Sequence, residues 1–388
     1  MVDFQYHNPA KIVFGQSAEK ELCRLLKEEK ATSLLLVYSG DFIKELGIYA
    51  AVENACRELG IDFYENGNVV PNPSIELVRE LVALGKEKKI DFVLAVGGGS
   101  AIDTAKATAL GIPYTGDAWD FFSKGVLPDK VVSVGVISTL PASGSETSNC
   151  AILSNGEWKL GFEDERIIPK FAIMNPKYTL KLPAFQTACG VADILSHLLE
   201  RYFSDTEHTD VTDYLIEGAV RALLVNGERL VTNPDDLDAR AEIQWLASIA
   251  HNNLLDTGRI ADWGSHRIEH ELSAQYGITH GEGMAVVFAA WTKFAATEKP
   301  RKPAQLATRV FGVDPYNYSE RERALKLSSE LNNFFRSLKL RTTLHELGID
   351  DKDFSAMADR ATENGTKTVG HYIPLDKIKF MSVLKLAL

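Results

Sequence analysis

"FVLAVGGGSAIDTAKATAL", residues Phe92 to Leu110, decides the fold. The apolar run Phe92 to Val96 has no polar alternation. That continuity predicts a strand buried on both faces, as in a parallel sheet. Gly97, Gly98 and Gly99 follow, and a helical pattern starts directly after them. Ser100 is placed to N-cap that helix, with Asp103 in a capping-box-like position three residues on. Glycines let backbone amides approach a phosphate, and a helix N-terminus favours negative charge. The run fits neither G-x-G-x-x-G nor the P-loop pattern. Three glycines exceed what a plain strand-to-helix turn needs, so the stretch reads as a phosphate-binding loop.

Working outward, β-type runs alternate with helical stretches up to about residue 180. Lys11 to Gly15 precedes an amphipathic stretch from Ala18 to Glu29. Leu34 to Tyr38 precedes a helix from Asp41 to Leu59. Ile61 to Glu65 precedes a helix from Ile75 to Lys88, and Val131 to Ser138 and Phe171 to Met174 read as further strands. Strand and helix in alternation predict a layered α/β domain. After Leu182-Pro183 the β-type runs nearly vanish, and helical patterns such as Ala192 to Phe203, Val211 to Leu224, Leu237 to Leu255 and Arg321 to Leu338 take over. The expected division is an α/β domain over 1–182 and an all-α domain over 183–388.

The 388 residues are 45% hydrophobic and 24% charged, an ordinary globular balance, and the net charge of −11 argues against nucleic acid or an anionic membrane as partner. The longest apolar runs are far too short to span a bilayer. The first residues, MVDFQYHNPAKIVFG, hold no apolar signal core. Cys23, Cys56, Cys150 and Cys189 show no paired spacing and read as reduced thiols, which suits the cytoplasm.

Two further stretches carry chemistry. "STLPASGSETSN" (Ser138 to Asn149) is a polar loop after a strand, either a surface turn or a ligand-contacting loop. "CGVADILSHLLE" (Cys189 to Glu200) puts Asp193 and His197 on one face of a helix, among apolar neighbours. "DWGSHRIEHELSAQYGITHGEG" (Asp262 to Gly283) adds His266 and His270 at helical spacing, then His280 after a break at Gly277. A buried carboxylate beside buried imidazoles needs a partner. Asp193 with two or three of these histidines suits a divalent first-row metal such as Fe²⁺ or Zn²⁺. His7, His208, His251, His345 and His371 lack such company and read as surface or core histidines.

Taken together, GGGS-x2-D-x2-K (Gly97 to Lys106), TLPASGSE (Thr139 to Glu146), D-x3-H (Asp193 to His197) and H-x3-H-x9-H (His266 to His280) resemble the iron-containing, group III alcohol dehydrogenase family. The likeness spans essentially the whole chain and is strongest to the butanol dehydrogenase and broad aldehyde reductase branch. It implies a Rossmann-like dinucleotide-binding domain followed by an all-helical metal-binding domain, the fold shared with dehydroquinate synthase. It further implies metal ligation by Asp193, His197, His266 and His280, with His270 near the nicotinamide and substrate. Gly97, Gly98, Gly99 and Ser100 would hold the cofactor pyrophosphate. Asp103 would approach the nicotinamide region and stands with His270 as a candidate catalytic residue. Thr139, Leu140 and Ser145 would line the cofactor cleft, and Lys159 would reach the nicotinamide ribose. The implied activity is interconversion of short-chain aldehydes and primary alcohols. One divalent metal acts as Lewis acid on the substrate oxygen, the reduced nicotinamide delivers hydride, and His270 or a relayed water supplies the proton. A homodimer is the expected assembly.

The chain departs from the branch after its second β-type run. Where relatives read tyrosine, three glycines and serine, this chain reads Tyr38-Ser39-Gly40-Asp41-Phe42. A carboxylate at Asp41 repels the 2′-phosphate of NADP and can accept a hydrogen bond from the free ribose hydroxyl of NAD. The expectation is therefore NAD(H) in preference to NADP(H). Trp119, Phe121, Phe122 and Trp263 are candidate aromatic walls for substrate. An alternative substrate is a small anionic aldehyde, carboxylated or sulfonated, paired by Arg259 or Arg267. A lyase resembling dehydroquinate synthase would need a dense basic cluster near the motifs, and none is visible. A non-catalytic metal-binding helical protein would leave GGGS and TLPASGSE unexplained.

Overall fold

The computed structural model describes residues 1–388. The chain folds as two compact units. His7–Leu182 forms one, and Pro183–Leu388 with Met1–Tyr6 forms the other. The first residues join the helical unit through the Val2 N–H, which donates to the Gly258 carbonyl at 3.0 Å.

The His7–Leu182 unit is built on strands β1 (Lys11–Phe14), β2 (Ser33–Tyr38), β3 (Asp62–Asn66), β4 (Phe92–Gly97), β5 (Ser133–Ser138) and β8 (Phe171–Met174), with β6 (Cys150–Asn155) and β7 (Trp158–Glu163) apart from them. The six form one parallel sheet in the order β1-β8-β5-β4-β2-β3. Every residue of β2, β4 and β8 is buried, which is why these strands are apolar almost throughout. From β2 the chain goes to β3 on one side and then to β4 on the other. The order therefore reverses between β2 and β4, and at such a switch point open α/β sheets bind ligands beyond the strand ends. Tyr38 pairs in register with Val96, so Ser39–Asp41 and Gly97–Ser100 leave the sheet side by side.

Local differences from the sequence expectations have physical causes. The stretch expected as one helix from Asp41 to Leu59 is two, Phe42–Glu45 and Ile48–Leu59, because Gly47 at φ 74° turns the chain between them. The β6–β7 hairpin lies outside the expected strands, although its Asn155-Gly156 turn is a hairpin signal. The helix after the glycines is Gly99–Gly111, with Gly98 as N-cap in extended conformation. Ser100 therefore lies inside the first turn and does not cap it. No capping box forms, because the Asp103 carboxylate turns away to accept from the Ser145 hydroxyl at 2.6 Å and the Ile152 N–H at 3.1 Å.

The helical unit is organised on two long helices, Ala184–Tyr202 and His280–Glu298. The first is buried continuously from Ala188 to Tyr202, and the second from Gly281 to Thr292. A helix buried on all sides belongs in the middle of a core. Met284, Phe288 and Trp291 pack there with Leu195, Leu198 and Leu199 in one hydrophobic cluster. Burial contributes about 1.5–3 kcal/mol for each such large side chain. No helix is long and apolar enough to cross a membrane.

Candidate active site

Asp193 and His197 project from the buried Ala184–Tyr202 helix one turn apart. His266 and His270 lie one turn apart on the Gly264–Tyr276 helix, which ends at Gly277 in the left-handed conformation (φ 65°). That break lets the chain restart, and His280 is the first residue of the His280–Glu298 helix. Ligand-type atoms of Asp193, His266 and His280 converge within 4.8 Å of one another. His280 Nε2 stands 3.4 Å from Asp193 Oδ1. His197 lies just outside that group; its Nδ1 is 3.7 Å from Asp193 Oδ1 and its ring centroid 4.8 Å from that of His266. His270 is half-buried on the rim, its ring centroid 5.7 Å from that of His280.

Three atoms of this cluster are buried without a hydrogen-bond partner: Asp193 Oδ1, His197 Nδ1 and His266 Nε2. Unpaired buried polar atoms are costly, and here they are an oxygen and two nitrogens of one side-chain cluster. Burial pushes the Asp193 carboxyl up, but the surrounding His197, His280 and His266 more than offset this and hold it down to about 2. Burial pushes His197 well below the usual imidazole range. An ionised carboxylate and a neutral imidazole are the forms that ligate a cation, so the donor set fits a divalent metal.

Sequence reasoning missed the groups behind the cluster. Glu200 Oε1 lies 2.9 Å from His266 Nδ1, and Glu269 bonds His280 Nδ1. Their signal is present, since Glu200 follows His197 by three residues and Glu269 precedes His270, but a carboxylate on a helix is ordinary without its partner in view. The reading of His251 as a histidine without company is corrected: its ring centroid lies 4.5 Å from that of His197 and 5.7 Å from that of Trp263. Trp263, one of the expected aromatic walls, also stands 5.2 Å from His266 by ring centroid. Phe121 and Phe122 are core residues of the α/β unit, packed on Phe162.

In the α/β unit the glycine loop is braced by the loop after β5. The Thr139 N–H donates to the Gly97 carbonyl at 3.0 Å. A Cβ on Gly98 would come 3.0 Å from Leu140, and one on Gly99 would come 2.6 Å from the Ser143 hydroxyl. Gly97 has φ 153°. A side chain at Gly98 or Gly99 would press on the loop after β5, and one at Gly97 would meet the Ala101 Cβ at 2.8 Å. Lys106 is fully buried and pins the same loop, donating to the Ser145 hydroxyl at 3.0 Å and to the Ser148 and Cys150 carbonyls, each at 2.8 Å. Burial raises the Asp103 carboxyl, partly offset by Lys106, Ser145, the Ile152 N–H and Lys159, and it lowers Lys106 to about 8. Lys159 is buried on β7. Asp41 and Phe42 are exposed at the end of β2.

Residues 9–176 match the family model for iron-containing alcohol dehydrogenases, and residues 187–388 match the C-terminal model of the Fe-containing alcohol dehydrogenase family. The chain belongs to the iron-containing alcohol dehydrogenase family. This alcohol dehydrogenase is 36% identical to a probable NADH-dependent butanol dehydrogenase of Bacillus subtilis, with each chain fully covered. It is 33% identical to the NADPH-dependent aldehyde reductase YqhD of Escherichia coli over 97% of each chain. Among solved structures, the NADH-dependent butanol dehydrogenase A of Thermotoga maritima superposes with a TM-score of 0.94 at 34% identity, covering 99% of this chain and 98% of that one. The dehydrogenase is therefore an oxidoreductase that interconverts alcohols and aldehydes. Its Arg259 is not available to an anionic substrate: the guanidinium is buried and donates to Asp213 at 2.6 Å and to the Arg201 and Thr209 carbonyls. Arg267 stands 3.5 Å from Glu271.

Proposed function

We propose that this dehydrogenase reduces short-chain aldehydes to primary alcohols with NADH, around one divalent metal, Fe²⁺ or Zn²⁺, held by Asp193, His197, His266 and His280. The observation that carries the reading is the set of buried ligand atoms without hydrogen bonds, Asp193 Oδ1, His197 Nδ1 and His266 Nε2. When bound, the metal supplies a Lewis acid for the carbonyl oxygen and the reduced nicotinamide supplies the hydride. The chain's own residues do the rest. Glu200 and Glu269 hold His266 and His280 by their Nδ1 atoms, which fixes the direction of each ring. His270, half-buried at the rim, gives its proton to the alcohol oxygen as it forms.

For the cofactor, Gly97, Gly98, Gly99 and Ser100 at the helix N-terminus take the pyrophosphate. Thr139, Leu140 and Ser145 line the bound dinucleotide, and Lys159 reaches the nicotinamide ribose. Asp103 approaches the nicotinamide while fixing Ser145 through its hydrogen bond. Asp41, exposed at the switch point, favours a free ribose hydroxyl over a 2′-phosphate. Similar proteins are named for either cofactor, and the preference for NADH assigned to this chain rests on the charge of Asp41.

The test is steady-state oxidation of NADH and of NADPH with butanal by protein loaded with Fe²⁺ or Zn²⁺ and by protein stripped with a chelator. Turnover that needs metal and is more efficient with NADH is expected. Equal turnover after complete stripping would remove the metal reading, and higher efficiency with NADPH would remove the cofactor reading.

A further inference from the structure

The Gly264–Tyr276 helix, which carries His266, begins without a cap of its own. Its N-cap residue is Trp263, in the left-handed conformation at φ 64°, and an indole has no oxygen to accept from the helix amides. The first amides of a helix have no partners within it, and a side-chain oxygen normally takes one or two of them. Here the oxygens come from another helix. Glu200 Oε2 accepts the Trp263 N–H at 2.7 Å, and Oε1 accepts the His266 N–H at 2.9 Å together with the Ser265 hydroxyl. Glu200 is fully buried and belongs to the Ala184–Tyr202 helix, one turn beyond His197.

The same Oε1 faces His266 Nδ1 at 2.9 Å. A carboxylate oxygen already taking amide and hydroxyl hydrogens can only accept, so the ring must place its hydrogen on Nδ1. The lone pair of the neutral ring then lies on Nε2, the buried atom that has no hydrogen bond and points into the Asp193 cluster. We infer that Glu200 is a positioning residue that caps the Gly264–Tyr276 helix in trans and, by the same carboxylate, locks His266 in the Nδ1–H tautomer that presents Nε2 as a ligand. Its consequence for metal binding rests on the proposed metal site; the tautomer itself does not. One side chain thus ties the place where a helix starts to the protonation site of a ring on its first turn.

The experiment is ¹⁵N NMR of histidine-labelled, metal-free full-length protein, with the His266 signals assigned by their loss in His266→Gln. Zn²⁺ affinity is measured separately by chelator competition. The parent should show His266 with its hydrogen on Nδ1. In Glu200→Gln and Glu200→Ala the Nε2–H form should appear, and the Zn²⁺ dissociation constant should rise about 10- to 100-fold. A role limited to stability would lower the melting temperature and leave the tautomer and the affinity of the folded protein unchanged. His266 found as the Nε2–H form in the parent overturns the inference without any variant. So does a folded Glu200 variant that binds Zn²⁺ as tightly as the parent. A parent that binds no Zn²⁺ would instead remove the metal reading, and the NMR result would still decide the role of Glu200.

Discussion

Gly281 and Cys189 bring two helices into backbone contact: a Cβ built on Gly281 would stand 2.1 Å from the Cys189 carbonyl oxygen. Gly281 follows His280, and Cys189 lies one turn before Asp193, so this contact sets how close the imidazole and the carboxylate come. A backbone carbonyl cannot rotate aside as a side chain can. Gly281→Ala is therefore expected to push the helices apart, costing about 1–3 kcal/mol or more as overpacking does. It should also reduce metal content per chain. Metal analysis and thermal unfolding check this, and an alanine variant with full metal occupancy would show that the contact does not set the site.

His280→Ala removes a ring whose Nε2 lies 3.4 Å from Asp193 Oδ1. Metal content and turnover should both be lost. Full metal occupancy in this variant would mean that the ligand assignment is wrong.

His270→Ala should behave differently, because His270 sits on the rim and its ring centroid is 6.4 Å from that of His266. The variant is expected to keep its metal while aldehyde reduction slows about 100- to 10,000-fold, the usual contribution of a general acid. Loss of metal would place His270 among the ligands instead.

Asp41 carries a paired charge: Lys44 Nζ stands 2.8 Å from its Oδ1, with both side chains exposed. Asp41→Gly removes the repulsion toward a 2′-phosphate and releases the ammonium that the carboxylate now occupies. The ratio of catalytic efficiencies should move toward NADPH by about tenfold or more, which corresponds to about 1.4 kcal/mol. An unchanged ratio would mean that this loop does not meet the ribose.

Asp213 is expected to contribute to the acid stability of the helical unit. It accepts from Arg259 at 2.6 Å, Lys302 at 2.5 Å and Gln305 at 2.9 Å. Burial alone would raise its carboxyl, but Lys302 and Arg259 more than offset this and hold it below the ordinary value of 3.8. A carboxyl lowered on folding adds stability that is complete above its unfolded value and is lost as pH falls through the folded one. The parent should therefore lose stability below about pH 4 more steeply than Asp213→Asn. At neutral pH the variant should be about 3–5 kcal/mol less stable, because the buried Arg259 is left without its counter-charge. Denaturant melts across pH test both statements, and parallel curves would exclude Asp213 as the source.

Much of this is legible in the chain because helix and strand periods are local. Phe92–Val96 and Phe171–Met174 announce buried strands by unbroken apolarity, and Asp193 and His197 announce a shared face by a spacing of four. The hairpin that carries Lys159 has its signal in Asn155-Gly156, which a search for apolar runs does not weigh. Ser100 looks like a cap because the residue type fits one, but the helix begins at Gly99 once Gly98 takes the extended conformation.

The sequence by itself marked the six strands of the parallel sheet, the helix face shared by Asp193 and His197, the break at Gly277, and which side chains could ligate a cation. Only the tertiary structure decided that Asp193, His266 and His280 converge, that His251 lies against His197, and that Glu200 and Glu269 stand behind the rings of His266 and His280. The physical reason is range. A backbone period places a residue on a face within a few neighbours, whereas the meeting of two faces depends on packing between distant segments, as where Gly281 lets its helix rest on Cys189.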